Sequence, residues 1–330
     1  MSIKGKKILG IGAALVDLLA PVSEEWIVEQ GEAKGGMTLV DWPRMEALLQ
    51  KVEDPEMVPG GSACNTIRGL GTLGGAVAFL SKVKDDELGK IFVESLKKSG
   101  VESLLGVNPL PTGRVLSAVT PDAERTMFSY MGASDEMTPD DINPQMLKDF
   151  GMVYLEGYIA FNSPWFRAVV QAAKDAGVQV GLDLGSVSVV EFCRQDIQWA
   201  LDLGVMGLLV ANEDEAKAWT GLEGRAALDA LAQEGAKISV LKLGKKGSLI
   251  KKGTEVVQVN AQVVKAIDTT GAGDLWATGF LYGMQKSLTL QQCGELASLV
   301  ASEVVQVMGA VIPAVGWERI NEYLKGINYG

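Results

Sequence analysis

From residue 151 onward, short apolar runs alternate with longer stretches of helical periodicity, and this limits the folds open to the chain. Residues 152–155 read as a strand, 165–176 as a helix stopped by Gly177, and 178–182 as a strand. Residues 189–203 follow as a helix, then 207–210 and 237–243 as strands. Such alternation calls for a mostly parallel sheet covered by helices on both faces. Near the N-terminus, Lys7-Ile8-Leu9-Gly10-Ile11-Gly12 supplies one more short apolar strand. Ligands of such sheets gather at the carboxyl ends of the strands. Asp17, Asn65, Asn212, Gly244 and Asp274 each come soon after an expected strand, so one sheet edge brings them together. No sharp linker, low-complexity segment or internal repeat interrupts the 330 residues.

The stretch Asp268-Thr269-Thr270-Gly271-Ala272-Gly273-Asp274 changes character in its middle. Extended chain precedes it, and Leu275, Phe280, Leu281 and Met284 recur at helical spacing after it. Three small residues at a helix start let a ligand approach the backbone, whose first-turn N–H groups have no intrahelical partner. The helix dipole adds roughly half a positive charge there, which suits an anion. On these residues alone Asp274 is either a helix cap or a general base beside bound phosphate.

Composition removes several chemistries. The chain has no histidine, which excludes Ser-His-Asp and Cys-His catalysis and HExxH zinc sites. Acid–base work must fall to Asp, Glu, Lys, Tyr or Cys. Cys64, Cys193 and Cys293 are far apart and form no CxxC pair, which fits a reducing cytoplasm. A net charge of −11 argues against nucleic acid or an anionic membrane as partner, though a local anion hole can override the global field. Lys4, Lys6 and Lys7 before an apolar run imitate a secretion signal, but Asp17 ends that run early, so a buried strand is expected. No apolar run approaches the ~20 residues of a membrane helix.

Other glycine patterns are less decisive alone. Gly10-x-Gly12 lacks the third glycine of a dinucleotide-binding turn. Pro59-Gly60-Gly61 leads into a helix carrying Asn65, Ile67, Leu70 and Leu73, which is also ordinary strand-to-helix punctuation. Asn212-Glu213-Asp214-Glu215 favours a helix dipole, and Leu243-Gly244-Lys245-Lys246-Gly247 reads equally as a hairpin turn. No GxxxxGK[ST] loop is present.

Taken together, the 268–274 run and the Gly60-Gly61…Asn65 pattern resemble the two signatures of the ribokinase (PfkB) family of carbohydrate kinases, in the order that family has them. Asp122-Ala123-Glu124-Arg125-Thr126-Met127 and Leu155-Glu156-Gly157-Tyr158 look most like its adenosine-kinase-like branch. The resemblance implies a ribokinase-like three-layer α/β/α fold, one domain over 1–330, with a mostly parallel sheet. A small β-rich lid would be inserted over about 13–42 and 110–130. It implies ATP-dependent phosphoryl transfer to a primary hydroxyl, with Asp274 as base and Gly271, Ala272 and Gly273 as anion hole. Asp17, Gly60, Gly61 and Asn65 match positions that hold the sugar. Asn212, Glu215, Lys242, Gly244, Gly247 and Thr269 match the nucleotide side, Lys242 standing where the family often has threonine. Glu215 would organise Mg²⁺ through water, and carbonyls at Asp268 and Thr270 a monovalent cation such as K⁺.

Lid strands are read at 37–40 and at 114–120 and 126–130, the last two flanking a turn at 121–124, with a short helix from Ser23 to Gln30. Leu15, Met37 and either Met127 or Phe128 offer apolar walls for a planar base, which favours adenosine over a free sugar such as ribose or fructose. Arg125 either approaches the phosphate or is a surface arginine. The expected partner is a small-molecule acceptor, and the expected assembly a monomer or homodimer. A non-catalytic binding protein on the same fold and an NAD-dependent oxidoreductase are the rival classes.

Overall fold

The computed structural model describes residues 3–122 and 124–327; Ala123, within the expected 121–124 turn, lies outside them. In chain order the first elements are β1 (Lys7–Ile11), β2 (Leu15–Pro21), α1 (Glu24–Gln30), β3 (Met37–Leu39), α2 (Trp42–Leu49), β4 (Glu56–Gly60) and α3 (Ser62–Thr72). Next come β5 (Val77–Leu80), β6 (Lys82–Val83), α4 (Glu87–Lys98), β7 (Glu102–Ser103), β8 (Gly106–Val107), β9 (Gly113–Val119) and β10 (Arg125–Tyr130). The second half runs β11 (Phe150–Glu156), α5 (Ser163–Ala176), β12 (Gln179–Asp183), α6 (Val187–Asp202), β13 (Met206–Asn212), α7 (Glu213–Thr220) and α8 (Gly224–Leu231). It closes with β14 (Ile238–Lys242), β15 (Ser248–Lys252), β16 (Glu255–Val259), α9 (Ala272–Gln285), α10 (Leu290–Val304) and α11 (Ala314–Lys325).

The large sheet has the order β16-β15-β14-β13-β12-β11-β1-β5-β7. Its strands are parallel from β14 to β7, and β15 and β16 turn back antiparallel at one edge. Side chains alternate across it as the strand period requires. Ile8, Met152 and Tyr154 pack on one face with α3, α4, α9, α10 and α11. Leu9, Val153 and Leu155 pack on the other with α5, α6, α7 and α8. This is the expected three-layer α/β/α arrangement.

A second sheet, β3-β10-β9-β2-β4, forms the β-rich lid. The expected strands and the 23–30 helix are present, the latter with Ser23 accepting from the Trp26 amide at 3.2 Å. Two features went unread: β4 joins the lid as an edge strand, and α2 covers its outer face. Asp17 comes soon after β1, as expected. It lies inside β2, paired with Val58 and Val115. The period of two then sorts the lid by face. Leu15, Asp17, Val115, Ser117, Met127, Ser129, Met37 and Arg125 share one side by register. Val16, Leu18, Leu116 and Phe128 share the other, in a core with Ile27, Met45 and Leu48.

Helix α9 carries the anion-hole turn, and its anchorage decides how rigid that turn is. Phe280 is fully buried and stacks on Trp276, with centroids 5.1 Å apart. Phe280→Ala should cost about 3–5 kcal/mol in a urea titration, the usual loss for a buried phenylalanine. A cost under about 1 kcal/mol would mean that the site around it collapses freely and that α9 is not clamped there.

Candidate active site

Two helix starts meet at the carboxyl edge of the large sheet. α3 begins after Gly61, whose φ of +94° is open to glycine and which has no room for a side chain against the Ala13 carbonyl. α9 begins after Gly271, at φ +73°. Asp274 lies in the first turn of α9, but its carboxylate is turned away from its own helix, which has no side-chain cap. Instead it accepts from Ser62 Oγ at 2.7 Å and from Asn65 Nδ2 at 3.0 Å, both on α3. The capping role is therefore not the one its geometry serves. Burial pushes the Asp274 pKa up to about 6, although the bonds from Asn65 and Ser62 oppose the shift.

At the anion turn, the Ala272 amide donates to the Thr269 carbonyl at 3.1 Å. This differs from the three-amide hole expected, because the tight turn into α9 closes on itself. The amides of Gly271, Gly273 and Asp274 have no backbone acceptor among the described residues. They are left for an anion at the positive end of a fourteen-residue helix.

The lid presents its inner face above α3. Gly60 lies beside the Asp17 carboxylate, where any side chain would collide with Oδ2. Burial raises the Asp17 pKa to about 6, Arg125 lowers it and Asp274 raises it further. Asn65 is buried, and its Oδ1 has no hydrogen-bond partner among the described residues. Leu15, Met37 and Met127 share this face with Asp17; Met37 and Met127 stand in register with Ser117, and Met37, on an edge strand, is 52% exposed. Phe128 is in the lid's core, edge-on to Trp26, so it is not a wall of the cleft. Arg125 is not a surface residue: it forms an ion pair with Asp268 at 2.8 Å, and its buried Nε has no hydrogen-bond partner. Asp268 in turn accepts from the Thr270 amide and hydroxyl and from the Gly309 amide. The lid is thus tied to the anion-hole loop.

On the other side of Gly273 lies a cavity of about 390 Å³. Asn212, Lys242, Gly244, Gly247 and Thr269 all line it, as does Trp276. The Gly244–Lys246 turn is both the hairpin between β14 and β15 and part of this wall. Glu215 is the exception. It is 1% exposed and completes a capping box, accepting from the Asn212 amide at 2.8 Å and the Asn212 side chain at 2.6 Å. Burial, then the Asp183 charge, push its pKa up to about 7.

Sequence reasoning passed over two partners here. Ser62, which holds Asp274, was marked only by following the glycine pair. Asp183 ends β12 and accepts from Lys242 Nζ at 2.8 Å. Burial opposes the Lys242 ammonium, but Asp183 and Glu215 outweigh it and hold its pKa above the ordinary lysine value. A charged residue directly after a buried strand was the available signal for Asp183.

Residues 35–315 match the family model described as pfkB family carbohydrate kinase. The crystal structure of adenosine kinase from Sinorhizobium meliloti superposes with a TM-score of 0.86 at 32% identity, covering 97% of this chain and 99% of that one. A probable sugar kinase from Rhizobium etli superposes equally well, with a TM-score of 0.86 at 30% identity over 98% of this chain and 99% of its own. An uncharacterised sugar kinase from Archaeoglobus fulgidus is 27% identical over 243 residues, 73% of this chain and 96% of the relative.

Burial and its raised pKa make Asp274 the carboxylate on which to test the general-base expectation. Asp274→Asn should fold normally, since Asn keeps the shape, and lose ~10²–10⁴-fold in turnover. In the parent, kcat/KM for the acceptor should fall as pH drops below about 6, because Asp274 must be ionised to take a proton. Turnover within a few-fold of the parent would leave Asp274 a purely structural link between α3 and α9.

Proposed function

The chain belongs to the pfkB family of carbohydrate kinases, and on that premise we propose that it transfers the γ-phosphate of ATP to the 5′-hydroxyl of a purine nucleoside, adenosine first. ATP-dependent phosphotransfer to a small-molecule acceptor is the family's activity. The choice of acceptor rests on one observation: Leu15, Met37 and Met127 stand on the same lid face as Asp17. An apolar surface beside a carboxylate suits a ligand that is a planar base at one end and a ribose at the other. The likeness to the Sinorhizobium adenosine kinase supports the same reading.

In this reading Asp17 accepts hydrogen bonds from two ribose hydroxyls, and the free Asn65 Oδ1 takes another. Asp274 removes the proton of the primary hydroxyl as its oxygen attacks the γ-phosphorus in line, and ADP leaves. Charge developing on the transferring oxygens meets the Gly271 and Gly273 amides at the start of α9. Lys242 stands beside Gly273, where it adds a fixed ammonium. Lid closure through Arg125 and Asp268 excludes water that would hydrolyse ATP. No three carboxylate or thiolate side chains converge on one metal position among the described residues. Mg²⁺ arriving with ATP would neutralise charge on the phosphates. Glu215, bonded to Asn212 through both oxygens, fits ordering Asn212 rather than direct ligation.

One observation favours a free sugar as the second reading. Ser117 and Ser129 also face the cleft side of the lid, and their hydroxyls would suit extra sugar hydroxyls. Competition kinetics separate the two: adenosine should be phosphorylated with far higher kcat/KM than ribose or fructose. A free sugar winning would make the Leu15–Met37–Met127 surface lid packing only. Asp17→Ala should raise the acceptor KM and leave ATP affinity by calorimetry intact. The opposite pattern would exchange the acceptor and nucleotide halves of the cleft.

A further inference from the structure

Glu156 is a buried carboxylate to which phosphoryl transfer gives no part. It ends β11 and is 3% exposed. One oxygen, Oε1, accepts from the Ala13 amide at 2.8 Å. The other, Oε2, accepts from the Ala63 amide at 2.8 Å. These amides belong to two of the segments that join the lid to the large sheet. Ala13 lies between β1 and β2, and Ala63 lies just past the junction of β4 with α3. The two segments touch: a side chain on Gly61 would strike the Ala13 carbonyl, and one on Gly12 would strike the Glu156 carboxylate and Ala63. Four residues beyond Ala13 stands Asp17. On either side of Ala63 stand Ser62 and Asn65, which hold Asp274.

We propose that Glu156 is a positioning residue, a two-pronged anchor that fixes lid strand β2 against the start of α3 and so sets the gap between Asp17 and Asp274 in which the acceptor lies. This rests on reading that gap as the acceptor site of a kinase. The residue type follows from the task. An ionised carboxylate offers an acceptor to each amide, whereas a neutral carboxyl or an amide side chain presents a donor to one of them. A glutamine therefore holds one segment and releases the other, and protonation of the glutamate leaves one of its two oxygens a weaker acceptor.

The anchor's charge state is set by its surroundings. Burial raises the Glu156 pKa to about 7; the Ala63 and Ala13 amides pull it down, and Asp274 pushes it up. The groups facing it are Asp274 from α9, Cys64 from α3, Tyr154 on its own strand and Tyr158 just beyond. Asp183 stands beside it on β12, in register. Burial pushes Cys64, Tyr154 and Tyr158 upward, so they stay protonated near neutrality. The grip on the two segments should accordingly weaken as pH falls through about 7, as Glu156 takes up a proton.

Amide hydrogen exchange on the ligand-free protein tests this without any assumption about substrate. Protection of Ala13 and Ala63, relative to Leu9 and Val153 in the strands behind them, should drop about tenfold or more between about pH 8 and about pH 6. Relative protection that does not change with pH would overturn the anchor. Glu156→Gln supplies the kinetic arm, with adenosine and ATP as the probes. Its adenosine KM should rise about tenfold, with the ATP KM within about twofold and the pH dependence of the acceptor KM near neutrality lost. A fall in melting temperature with both KM values unchanged, or both raised equally, would reduce Glu156 to a structural residue. Should the variant not fold, exchange on the parent decides alone. Should adenosine not be turned over, the substrate reading fails while the exchange result still stands or falls independently.

Discussion

Everything at the cleft hangs on the docking of α3 against α9. The contact is polar as well as apolar. Beyond the Asp274 carboxylate, Thr66 Oγ1 donates to the Asp274 carbonyl at 3.0 Å, and Thr278 Oγ1 donates to the Thr66 carbonyl at 2.9 Å. The two helix starts come from different parts of the fold: α3 continues from lid strand β4, and α9 continues from the turn at Gly271. Binding them together converts two flexible glycine turns into one rigid unit, which is what positioning of reacting groups requires.

Electrostatics set the cost of that unit. Glu156, Glu215 and Asp274 gather at the carboxyl edge of the large sheet, with Asp17 on the lid sheet near Asp274, and burial raises all four. They are tolerable because most of their oxygens are spent on amides and hydroxyls rather than left bare. Two nearby cations are also committed, Lys242 to Asp183 and Arg125 to Asp268, while Lys245 lines the cavity as well. An anion approaching Lys242 would meet an ammonium already paired with Asp183. A chain of net charge −11 can thus still serve an anion through a few oriented groups.

The architecture was legible because its period was. Alternating buried strands and amphipathic helices read directly as a covered parallel sheet, and glycines before α3 and α9 marked where ligands approach. The cavity collected Asn212, Lys242, Gly244, Gly247 and Thr269 as the resemblance implied. What escaped depended on contacts between residues distant in sequence. Ser62 and Asp274 are 212 positions apart, and Glu156 lies 143 from Ala13 and 93 from Ala63. Nothing local marks a buried glutamate as the partner of two remote amides. That Asp17 sits within a strand of its own, rather than merely after one, depends on the neighbouring strands β4 and β9, which recruit its segment into the lid.

That strand position has a consequence for how the family's members can diverge. Because β2 alternates faces with a period of two, one residue inserted or deleted between Gly12 and Asp17 would exchange its sides. Asp17 would then be driven into the apolar layer with Ile27 and Leu48, while Val16 faced the cleft. Loops elsewhere accept changes in length; this segment does not. Single replacements at Leu15, Met37 or Met127 keep the two faces of the lid apart, whereas a change in the length of this segment mixes them.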